Sequence, residues 1–283
     1  MEELFVFPKL FGGIGNRLFQ LFTAKYYSEI TGLQLRIVYT ACTAEHGSNN
    51  DMFKLFPELI FTDEPEAYET ITQAHSDLYT FKPFSTDVST CIKLSGYWQV
   101  YEYCRQTLLI PNWNNALKSK TSEILESTGL TNLESQKKTW MIHFRHGDYK
   151  NYQQHYVSLF KYYSKCINEI PADSRLHVFS DEPELCRDFI ESVTEGRNLV
   201  VTWSTQTKDI CALYEMSHCL GGAIVANSSF SWWGAYFAKR RSRNVGHPMK
   251  AYYPSVWGYS YTDHVWPEMP DLIPDWGTKV SVD

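Results

Sequence analysis

The sequence predicts an α/β protein with parallel β-sheets, and three observations support this fold class. Short apolar segments with strand character alternate with helical segments along most of the 283 residues. Such alternation is typical of parallel sheets, because each helix returns the chain to the same edge of the sheet. A polar, helix-forming stretch at 113–139 separates two apolar halves. The length suits two compact domains, and we place their boundary near residue 135, giving domains 1–135 and 136–283.

The first domain opens with a strand, a helix and a second strand. The apolar segment LFVFP at 4–8 predicts the first strand. Apolar residues at helical spacing predict a helix over 15–32, which a glycine ends. The segment QLRIVYT at 34–40 predicts the second strand. The motif DEPE at 63–66 follows another apolar segment, and an Asp with a Glu three positions later predicts the start of a further helix.

The second domain continues this alternation through four strand–helix units. A second DEPE motif, at 181–184, again predicts a helix start after a strand. The tail at 245–283 combines prolines and tryptophans without periodicity, which predicts irregular structure that wraps back over the body. The predicted strands are 139–144, 175–180, 198–203 and 222–227, and the predicted helices are 156–169, 183–194, 207–219 and 230–240.

Charge and composition exclude several classes of protein. The formal net charge of −6 argues against nucleic-acid binding, which requires a basic surface. The basic segment KRRSR at 239–243 is either a solvated helix end or a patch for a membrane surface or another anionic partner. The seven cysteines include no C-x-x-C pair, so neither a disulfide framework nor a zinc site is predicted. With no membrane-length apolar segment and no apolar signal sequence, we expect a cytoplasmic or membrane-peripheral protein.

The first of three strand-to-helix junctions is rich in glycine. Ligands of open parallel sheets bind at the carboxyl ends of the strands. Gly12, Gly13 and Gly15 follow the first strand, where glycines let backbone N–H groups approach a phosphate at a helix N-terminus. A tight structural turn would need the same residues. A dinucleotide G-x-G-x-x-G motif is absent because Leu18 occupies its last position, and the Gly-Lys-Ser/Thr of a P-loop is absent too.

The second junction ends the strand TWMIHF with four charged or titratable residues, His143, Arg145, His146 and Asp148. His143 and Arg145 share one face, since side chains along a strand alternate in direction. An Arg binds a diphosphate through paired hydrogen bonds. Asp148 would act as a base, or would orient Arg145 or His146. A purely structural Arg–Asp pair is the alternative interpretation.

The third junction carries hydroxyl groups before the last predicted helix. Asn227, Ser228, Ser229 and Ser231 lie between a strand and that helix. Hydroxyls and backbone N–H groups at a helix N-terminus form a site for an anion, although a serine there can also be a simple N-cap. The pair of tryptophans that follows is predicted to be core rather than a sugar platform. Together, the three junctions predict a phosphate-containing ligand.

Four segments, in this order, resemble the conserved blocks of the alpha-1,2-fucosyltransferases, glycosyltransferase family 11. They are GGIGNRLFQ at 12–20, HFRHGDY at 143–149, FSDEPELC at 179–186 and NSSFSWWGAYF at 227–237. The resemblance implies a GT-B-like fold of two Rossmann-like domains, with the nucleotide site mainly in the C-terminal half and the acceptor on the N-terminal side. It also implies inverting transfer of L-fucose from GDP-fucose to O2 of a galactoside. No metal or other cofactor is implied, and the sequence contains no Asp-x-Asp metal signature.

The resemblance also assigns roles to individual residues. Arg145 would bind the donor diphosphate and stabilise the charge on the leaving GDP, and His143 would line the same site. Asp181 would lie near the nucleoside. Our candidate for the catalytic base is Asp148, and His155 is its rival. The other donor-binding residues would be Gly13, Gly15, Asn16 and Arg17 in the glycine loop, and Asn227, Ser228, Ser229 and Phe230 in the serine-rich loop.

Four residues depart from the family pattern, and two of these changes are mild: Ser229 replaces a Thr and keeps the hydroxyl, and Glu182 replaces the second Asp of F-S-D-D. His146 replaces the second Arg of the usual H-x-R-R-G-D-Y block, so one cationic contact is lost or becomes pH-dependent. Arg17 replaces a Gln and restores some positive charge nearby. A transferase for another GDP-sugar and a non-catalytic carbohydrate-binding relative are the alternatives, whereas Leu18 disfavours a Rossmann dehydrogenase. The expected partners are GDP-fucose and an oligosaccharide or glycoconjugate acceptor, which the sequence does not identify.

Overall fold

A computed structural model describes residues 3–39, 50–105, 107, 109–147, 157–258 and 267–283. The chain forms two compact units. Unit 1 contains Met1–Lys118 and Met269–Pro274, and unit 2 contains Ser119–Glu268 and Asp275–Asp283. Each unit is an α/β structure around one parallel sheet, as the sequence predicts. None of the helices in the described ranges is long and apolar enough to cross a membrane.

Unit 1 is built on a five-stranded sheet with the strand order β3-β2-β1-β5-β4. The central strand β1 is buried along its whole length, because helix α1 packs against it with a row of buried apolar side chains. The strands are β1 (Phe5–Pro8), β2 (Gln34–Val38), β3 (Ile60–Thr62), β4 (Tyr68–Thr72) and β5 (Cys91–Ser95). The α-helices are α1 (Ile14–Thr31), α2 (Asn50–Lys54), α3 (Tyr101–Arg105) and α4 (Trp113–Leu117).

Unit 2 is built on a six-stranded sheet with the strand order β11-β10-β9-β6-β7-β8. Its strands are β6 (Thr139–Phe144), β7 (Arg175–Ser180), β8 (Val200–Trp203), β9 (Gly222–Ile224), β10 (Lys250–Pro254) and β11 (Gly277–Val280). Its helices are α5 (Lys120–Thr128), α6 (Leu133–Lys138), α7 (Phe160–Asn168), α8 (Pro183–Thr194), α9 (Asp209–Met216) and α10 (Ser229–Asn244). All six residues of β6 are buried, as expected for a central strand of a parallel sheet with helices on both faces.

The first segment of unit 1 ends at Lys118, and unit 2 begins at the next residue. The sequence predicts this boundary later, near residue 135. Helices α5 and α6 belong to unit 2 because they are bonded to it. Arg175 on β7 donates a hydrogen bond of 3.1 Å to the carbonyl of Gly129, and the N–H of Leu220 donates one of 2.9 Å to the carbonyl of Gln136. The polar character that makes this stretch resemble a linker comes from its exposed faces.

The first DEPE motif does not begin a helix, and this prediction is wrong. The residues after it form β4, which pairs in parallel with β5. The tail was predicted to be irregular, yet it contains β10 and β11, which extend the unit 2 sheet beyond β9. Both errors arise because a strand is fixed by the neighbour with which it pairs, and the periodicity of its own residues does not reveal that neighbour.

Candidate active site

Arg145 and Asp181 form an ion pair at the carboxyl edge of the unit 2 sheet. Arg145 is the first residue after β6, and Asp181 is the first residue after the neighbouring strand β7. Nη1 of Arg145 lies 2.7 Å from Oδ2 of Asp181, and the two side chains are 32% and 23% exposed. The backbone N–H of His146 donates a 3.0 Å hydrogen bond to Oδ1 of the same carboxylate. Asp181 therefore fixes both the guanidinium and the backbone that carries it.

Asp181 is not the N-cap of helix α8, although the second DEPE motif predicts a capping box there. Glu182 occupies the N-cap position and Pro183 the first helical position, without a side-chain capping bond. Oγ of Ser180 instead accepts a 3.0 Å hydrogen bond from the N–H of Glu182. The helix begins where it was predicted, and the Asp carboxylate is directed to the strand edge.

Gly147 leaves the space that the carboxylate of Asp181 occupies. A Cβ atom added at Gly147 would lie 2.5 Å from Oδ2 of Asp181, which is closer than real Cβ contacts. Oδ2 is also the oxygen that contacts Arg145. The Gly of the HFRHGDY segment is therefore required by the close approach of an acidic side chain.

His143 is buried at the end of β6 and lies beside two other predicted site residues. Its side chain is 5% exposed, and its ring centroid lies 5.6 Å from that of Phe230. The pKa of His143 is lowered to about 3, mainly by burial, which outweighs the opposing charge of Asp181 and is reinforced by the nearby charge of Arg145. Nδ1 is buried and has no hydrogen-bond partner among the described residues. His143 is therefore a neutral imidazole at neutral pH.

His146, which stands where the family has a second Arg, faces an aromatic cluster. Its ring stacks on Phe144 at a centroid distance of 6.3 Å and an interplanar angle of 17°, and it lies 6.2 Å from the ring of Phe160. With Arg145 and Tyr163 it lines a small depression. The imidazole fills space between rings, an environment in which a guanidinium would need polar partners.

The serine-rich turn lies at the same edge of the sheet, after β9 on the other side of β6. Ser228 is the N-cap of α10 and makes no side-chain capping bond. The side chain of Asn227 is buried and donates a 3.1 Å hydrogen bond to the carbonyl of Trp257. Asn227 thus shapes the turn, and the backbone N–H groups from Ser229 onward begin the helix.

The strand order places this turn and Arg145 at a topological switch point. The chain continues from β6 to β7 on one side, and later returns to β9 on the other side. In open parallel sheets such a point is where ligands bind, and the positive end of α10 favours an anion there. The tryptophan pair of α10 is fully buried, as predicted, and is therefore part of the core.

The glycine loop is part of unit 1, between β1 and α1. Gly13 is the N-cap of α1, and a Cβ atom added there would meet none of the described residues within 4 Å. Gly12 has a φ of +75°, a backbone conformation that favours glycine. Gly15 and Arg17 are buried within the first turn of α1, so Arg17 does not present an exposed charge.

Sequence reasoning missed a second loop beside the glycine loop. Nε2 of Gln99 donates a 2.9 Å hydrogen bond to Oδ1 of Asn16, which joins the loop after β5 to the start of α1. The sequence analysis does not predict this loop because it does not predict strand β5, CIKLS at 91–95, which precedes the loop at Gly96 and is only five residues long. Asp148 and His155, the two candidate bases, lie outside the described residues.

The fold is that of the GT-B-like fucosyltransferases, which confirms the predicted fold class. A fucosyltransferase NodZ from Bradyrhizobium aligns with a TM-score of 0.53 and 12% identity, over 83% of this chain and 92% of that chain. A NodZ alpha-1,6-fucosyltransferase co-crystallized with GDP aligns with a TM-score of 0.53 and 13% identity, again over 83% and 92% of the two chains. At these identities the similarity establishes the fold.

The sequence identifies the family. Residues 75–251, more than half of the chain, match the family described as Glycosyl transferase family 11, and the protein therefore belongs to this family. An Escherichia coli protein named alpha-1,2-colitosyltransferase is 24% identical over 271 residues, covering 82% of this chain and 87% of the relative. The protein is thus a glycosyltransferase, as the four sequence segments indicate.

Proposed function

We propose that this protein transfers L-fucose from GDP-fucose to O2 of a galactoside, with inversion at the anomeric carbon. The observation that carries the proposal is the Arg145–Asp181 pair at the switch point of the unit 2 sheet, with a 2.7 Å separation between Nη1 and Oδ2. Family 11 membership supplies the class of reaction. The NodZ structures co-crystallized with GDP and soaked with GDP-fucose support the choice of donor.

Arg145 would act on the leaving group. When the bond between the sugar and the diphosphate breaks, its electron pair goes to a phosphate oxygen of GDP, and negative charge increases there. A guanidinium held in place beforehand stabilises that charge more in the transition state than in the ground state. Asp181 keeps Arg145 at the strand edge, and the N-terminus of α10 adds positive potential on the other side of β6.

His143 would contribute without a charge of its own. Because its pKa is about 3, the ring stays neutral, so it neither repels Arg145 nor competes for the diphosphate as a counter-ion. A neutral imidazole can still donate one hydrogen bond to a phosphate or sugar oxygen. The ring of Phe230 packs beside it.

The acceptor hydroxyl needs to lose a proton as it attacks the anomeric carbon from the face opposite GDP. We retain Asp148 as the candidate base and His155 as its rival, on their sequence positions alone. Replacing each in turn, Asp148→Asn and His155→Gln, and measuring transfer against donor hydrolysis distinguishes them. The base variant loses transfer to sugar while its affinity for GDP is unchanged.

The proposed reaction uses no metal ion, because Arg145 and the helix N-terminus supply the positive charge at the diphosphate. Among the residues that the structure describes, no group of three His, Cys, Asp or Glu side chains is arranged to hold one. Activity in the presence of EDTA tests this part of the proposal. Loss of transfer that manganese restores would contradict it.

The test of the function is incubation with GDP-fucose and a panel of galactosides, followed by mass and linkage analysis of the products. The expected product carries α-linked fucose on galactose O2, with stoichiometric release of GDP. Binding of galactosides without GDP release would instead identify a non-catalytic carbohydrate-binding protein. A product fucosylated at another position would leave the assignment of GDP-fucose as donor intact and would contradict the assignment of galactose O2 as the acceptor position.

Transfer of colitose is a second candidate, favoured by the name of the E. coli relative. Colitose is L-fucose without the hydroxyl group at C3, so the same diphosphate contacts would serve both donors. Competition between GDP-fucose and GDP-colitose at equal concentrations decides between them. A site that hydrogen-bonds the C3 hydroxyl discriminates strongly against the deoxy sugar, whereas an apolar site does not.

A further inference from the structure

Two loops leave the carboxyl edge of the unit 1 sheet side by side. Strand β1 pairs in parallel with β5, with Pro8 opposite Leu94, and the pairing continues through a 2.8 Å bond from the N–H of Lys9 to the carbonyl of Leu94. The glycine loop therefore starts next to the loop Gly96–Tyr97–Trp98–Gln99. We name this second loop, residues 96–99, the platform loop.

The platform loop presents one aromatic side chain outward. Tyr97 is 40% exposed, and its ring meets that of Phe11 edge to face at a centroid distance of 4.9 Å. Phe11 is itself held, because its N–H donates a 3.0 Å hydrogen bond to Oε1 of Gln20. The exposed ring of Tyr97 thus packs on a residue whose backbone is held by a hydrogen bond.

A buried neighbour forces this presentation. Trp98 has a φ of +54°, an uncommon conformation for a residue with a side chain, and its indole is buried against Phe84 and Tyr103. Oε1 of Gln73 accepts a 2.8 Å hydrogen bond from the N–H of Trp98. Such conformations persist only where the surroundings fix them, and they are concentrated at functional sites.

The platform loop is also bonded to the loop that we predict beside the donor phosphates. Gln99 donates a 2.9 Å hydrogen bond to Oδ1 of Asn16, which lies in the first turn of α1. A ligand on Tyr97 would therefore lie next to the glycine loop. This position is what an acceptor sugar requires, because its hydroxyl group must approach the transferred sugar.

We propose that Tyr97 binds a pyranose ring of the acceptor by stacking on its apolar C–H face. A pyranose has an apolar C–H face, and the exposed ring of a tyrosine on a rigid loop matches that face. Tyr97 is then a specificity-determining contact, and Gln73 and Gln99 are positioning residues for it. The choice of ligand rests on the proposed fucosyl transfer, whereas the surface itself rests on the geometry of unit 1.

Another tyrosine of unit 1 supplies a matched control. Tyr68 is 38% exposed and packs edge to face on Phe7 at 5.4 Å, so its exposure and ring contact resemble those of Tyr97. It begins β4, at the opposite, amino edge of the same sheet. Tyr68→Ala therefore removes a comparable ring from a place where no acceptor is expected.

The experiment measures steady-state transfer to lactose at saturating GDP-fucose for Tyr97→Ala, Tyr97→Phe and Tyr68→Ala. We expect Tyr97→Ala to raise the acceptor KM at least tenfold, with the affinity for GDP unchanged within twofold. Tyr97→Phe and Tyr68→Ala should keep the acceptor KM within about threefold, since the first retains the ring. An unchanged acceptor KM in Tyr97→Ala overturns the assignment.

A second measurement separates this proposal from the proposed function. Saturation-transfer NMR with methyl β-galactoside, without donor, reports contact between the sugar and the protein directly. If the parent protein makes no fucosylated product but the signal is present and is lost in Tyr97→Ala alone, the surface is correct and the function is wrong. If the parent transfers fucose and Tyr97→Ala alters neither the NMR signal nor KM, the function stands and the surface is wrong.

Discussion

The guanidinium of Arg145 is bonded to the carboxylate of Asp181, with 2.7 Å between Nη1 and Oδ2, across the ends of two adjacent parallel strands. The two residues are 36 positions apart in the chain. The pair remains partly exposed, so the positive charge is oriented without being enclosed. This geometry leads to the first two predictions.

Replacing Arg145 should abolish most of the transferase activity. We expect Arg145→Ala to lower kcat/KM by a hundredfold or more, about 3 kcal/mol of transition-state stabilisation, because a prepositioned charge at the leaving group is lost. Arg145→Lys keeps the charge but not the planar fork, and should recover only part of the rate. Steady-state kinetics with GDP-fucose measures both.

Arg187→Ala is the control for these variants, because it removes the same charge from an exposed i,i+3 pair with Glu184 on α8. It should leave kcat/KM within about twofold, as expected for a surface ion pair. Arg145→Ala activity within tenfold of the parent would refute the role given to this residue.

Gly147→Ala should impair catalysis through the carboxylate that it displaces. The new Cβ would lie 2.5 Å from Oδ2 of Asp181, so the carboxylate has to move away from Arg145. We expect kcat to fall about tenfold, with the melting temperature lowered by only a few degrees, since the conflict involves the end of a side chain. Combining Gly147→Ala with Asp181→Asn should cost less than the sum of the two losses, because both act on one contact. Additive losses would show that Gly147 acts elsewhere.

Gly13→Ala separates a phosphate-binding loop from a tight turn. The described surroundings leave room for the added methyl group, so the free energy of unfolding should stay within about 0.5 kcal/mol of the parent value. If a phosphate approaches the backbone there, the methyl group should lower the affinity for GDP at least tenfold, or about 1.4 kcal/mol. Isothermal titration calorimetry with GDP and a denaturant titration give the two quantities.

Gly12→Ala provides the contrasting case. Its φ of +75° and an added Cβ at 2.7 Å from Nδ2 of Asn16 should make the substitution destabilising by about 1 kcal/mol or more. Unchanged GDP affinity in a stable Gly13→Ala protein would identify the loop as purely structural.

Acid should destabilise the protein through its buried histidines. Burial lowers the pKa of His218 to about 4, and that of His143 to about 3, whereas an unfolded histidine titrates near 6.5. At pH values between the folded and the unfolded pKa, these histidines are protonated in the unfolded chain but not in the native state. The free energy of unfolding therefore falls as the pH falls from about 6.5 towards 4. Each residue should contribute a loss of about 2 kcal/mol between pH 7 and pH 5.

His218→Asn tests this pH dependence, because it removes one titrating ring outside the candidate site. Urea unfolding at pH 7 and pH 5 should show a loss smaller by about 2 kcal/mol than in the parent. An equal pH dependence in the parent and His218→Asn would contradict the prediction.

Glu215 is a buried carboxylate outside the candidate site, and we expect it to be important for the stability of unit 2. It is fully buried in α9 and accepts from Nε2 of His177 on β7 at 2.8 Å and from Oγ of Ser204 at 2.5 Å. Glu215→Ala leaves these groups buried without their partner, and should lower the free energy of unfolding by about 3 kcal/mol or more. A guanidinium titration measures the loss.

Glu184→Ala is the matched control, since its side chain is 82% exposed and pairs with Arg187 on the surface. We expect a change of at most about 0.5 kcal/mol there. Equal effects of the two substitutions would show that the buried network does not stabilise unit 2.

Much of unit 2 could be predicted from its sequence because its elements are strongly patterned. The strand at 175–180 and the helix at 183–194 coincide with β7 and α8. Buried parallel strands are continuous apolar runs, and helices between them show a clear 3.6-residue period. The strands β4 and β11 lack such patterns, since both lie at sheet edges with exposed or half-buried side chains. Only their neighbours define them.

The candidate site divides in the same way. Arg145 could be singled out from the sequence because it directly follows an apolar strand. A charged side chain at the end of a buried strand needs a counter-charge or a ligand. The sequence places Asp181 in a capping-box pattern, and the resemblance places it near the nucleoside, but its pairing with Arg145 has no signal because the pairing of β6 with β7 is not visible in the sequence. The bond between Asn16 and Gln99 joins residues 83 positions apart and has no local signal at all.

The path of the chain between the units has a consequence for synthesis. Asp271, in the short return segment, accepts a 2.7 Å hydrogen bond from the N–H of Phe81, and its carbonyl accepts another from the N–H of Tyr101. Unit 1 is therefore incomplete until residues 269–274 have left the ribosome, after nearly all of unit 2 has emerged. Most of unit 1 is translated before unit 2, but its segment 269–274 is translated almost at the end. Until then the N–H groups of Phe81 and Tyr101 lack these acceptors.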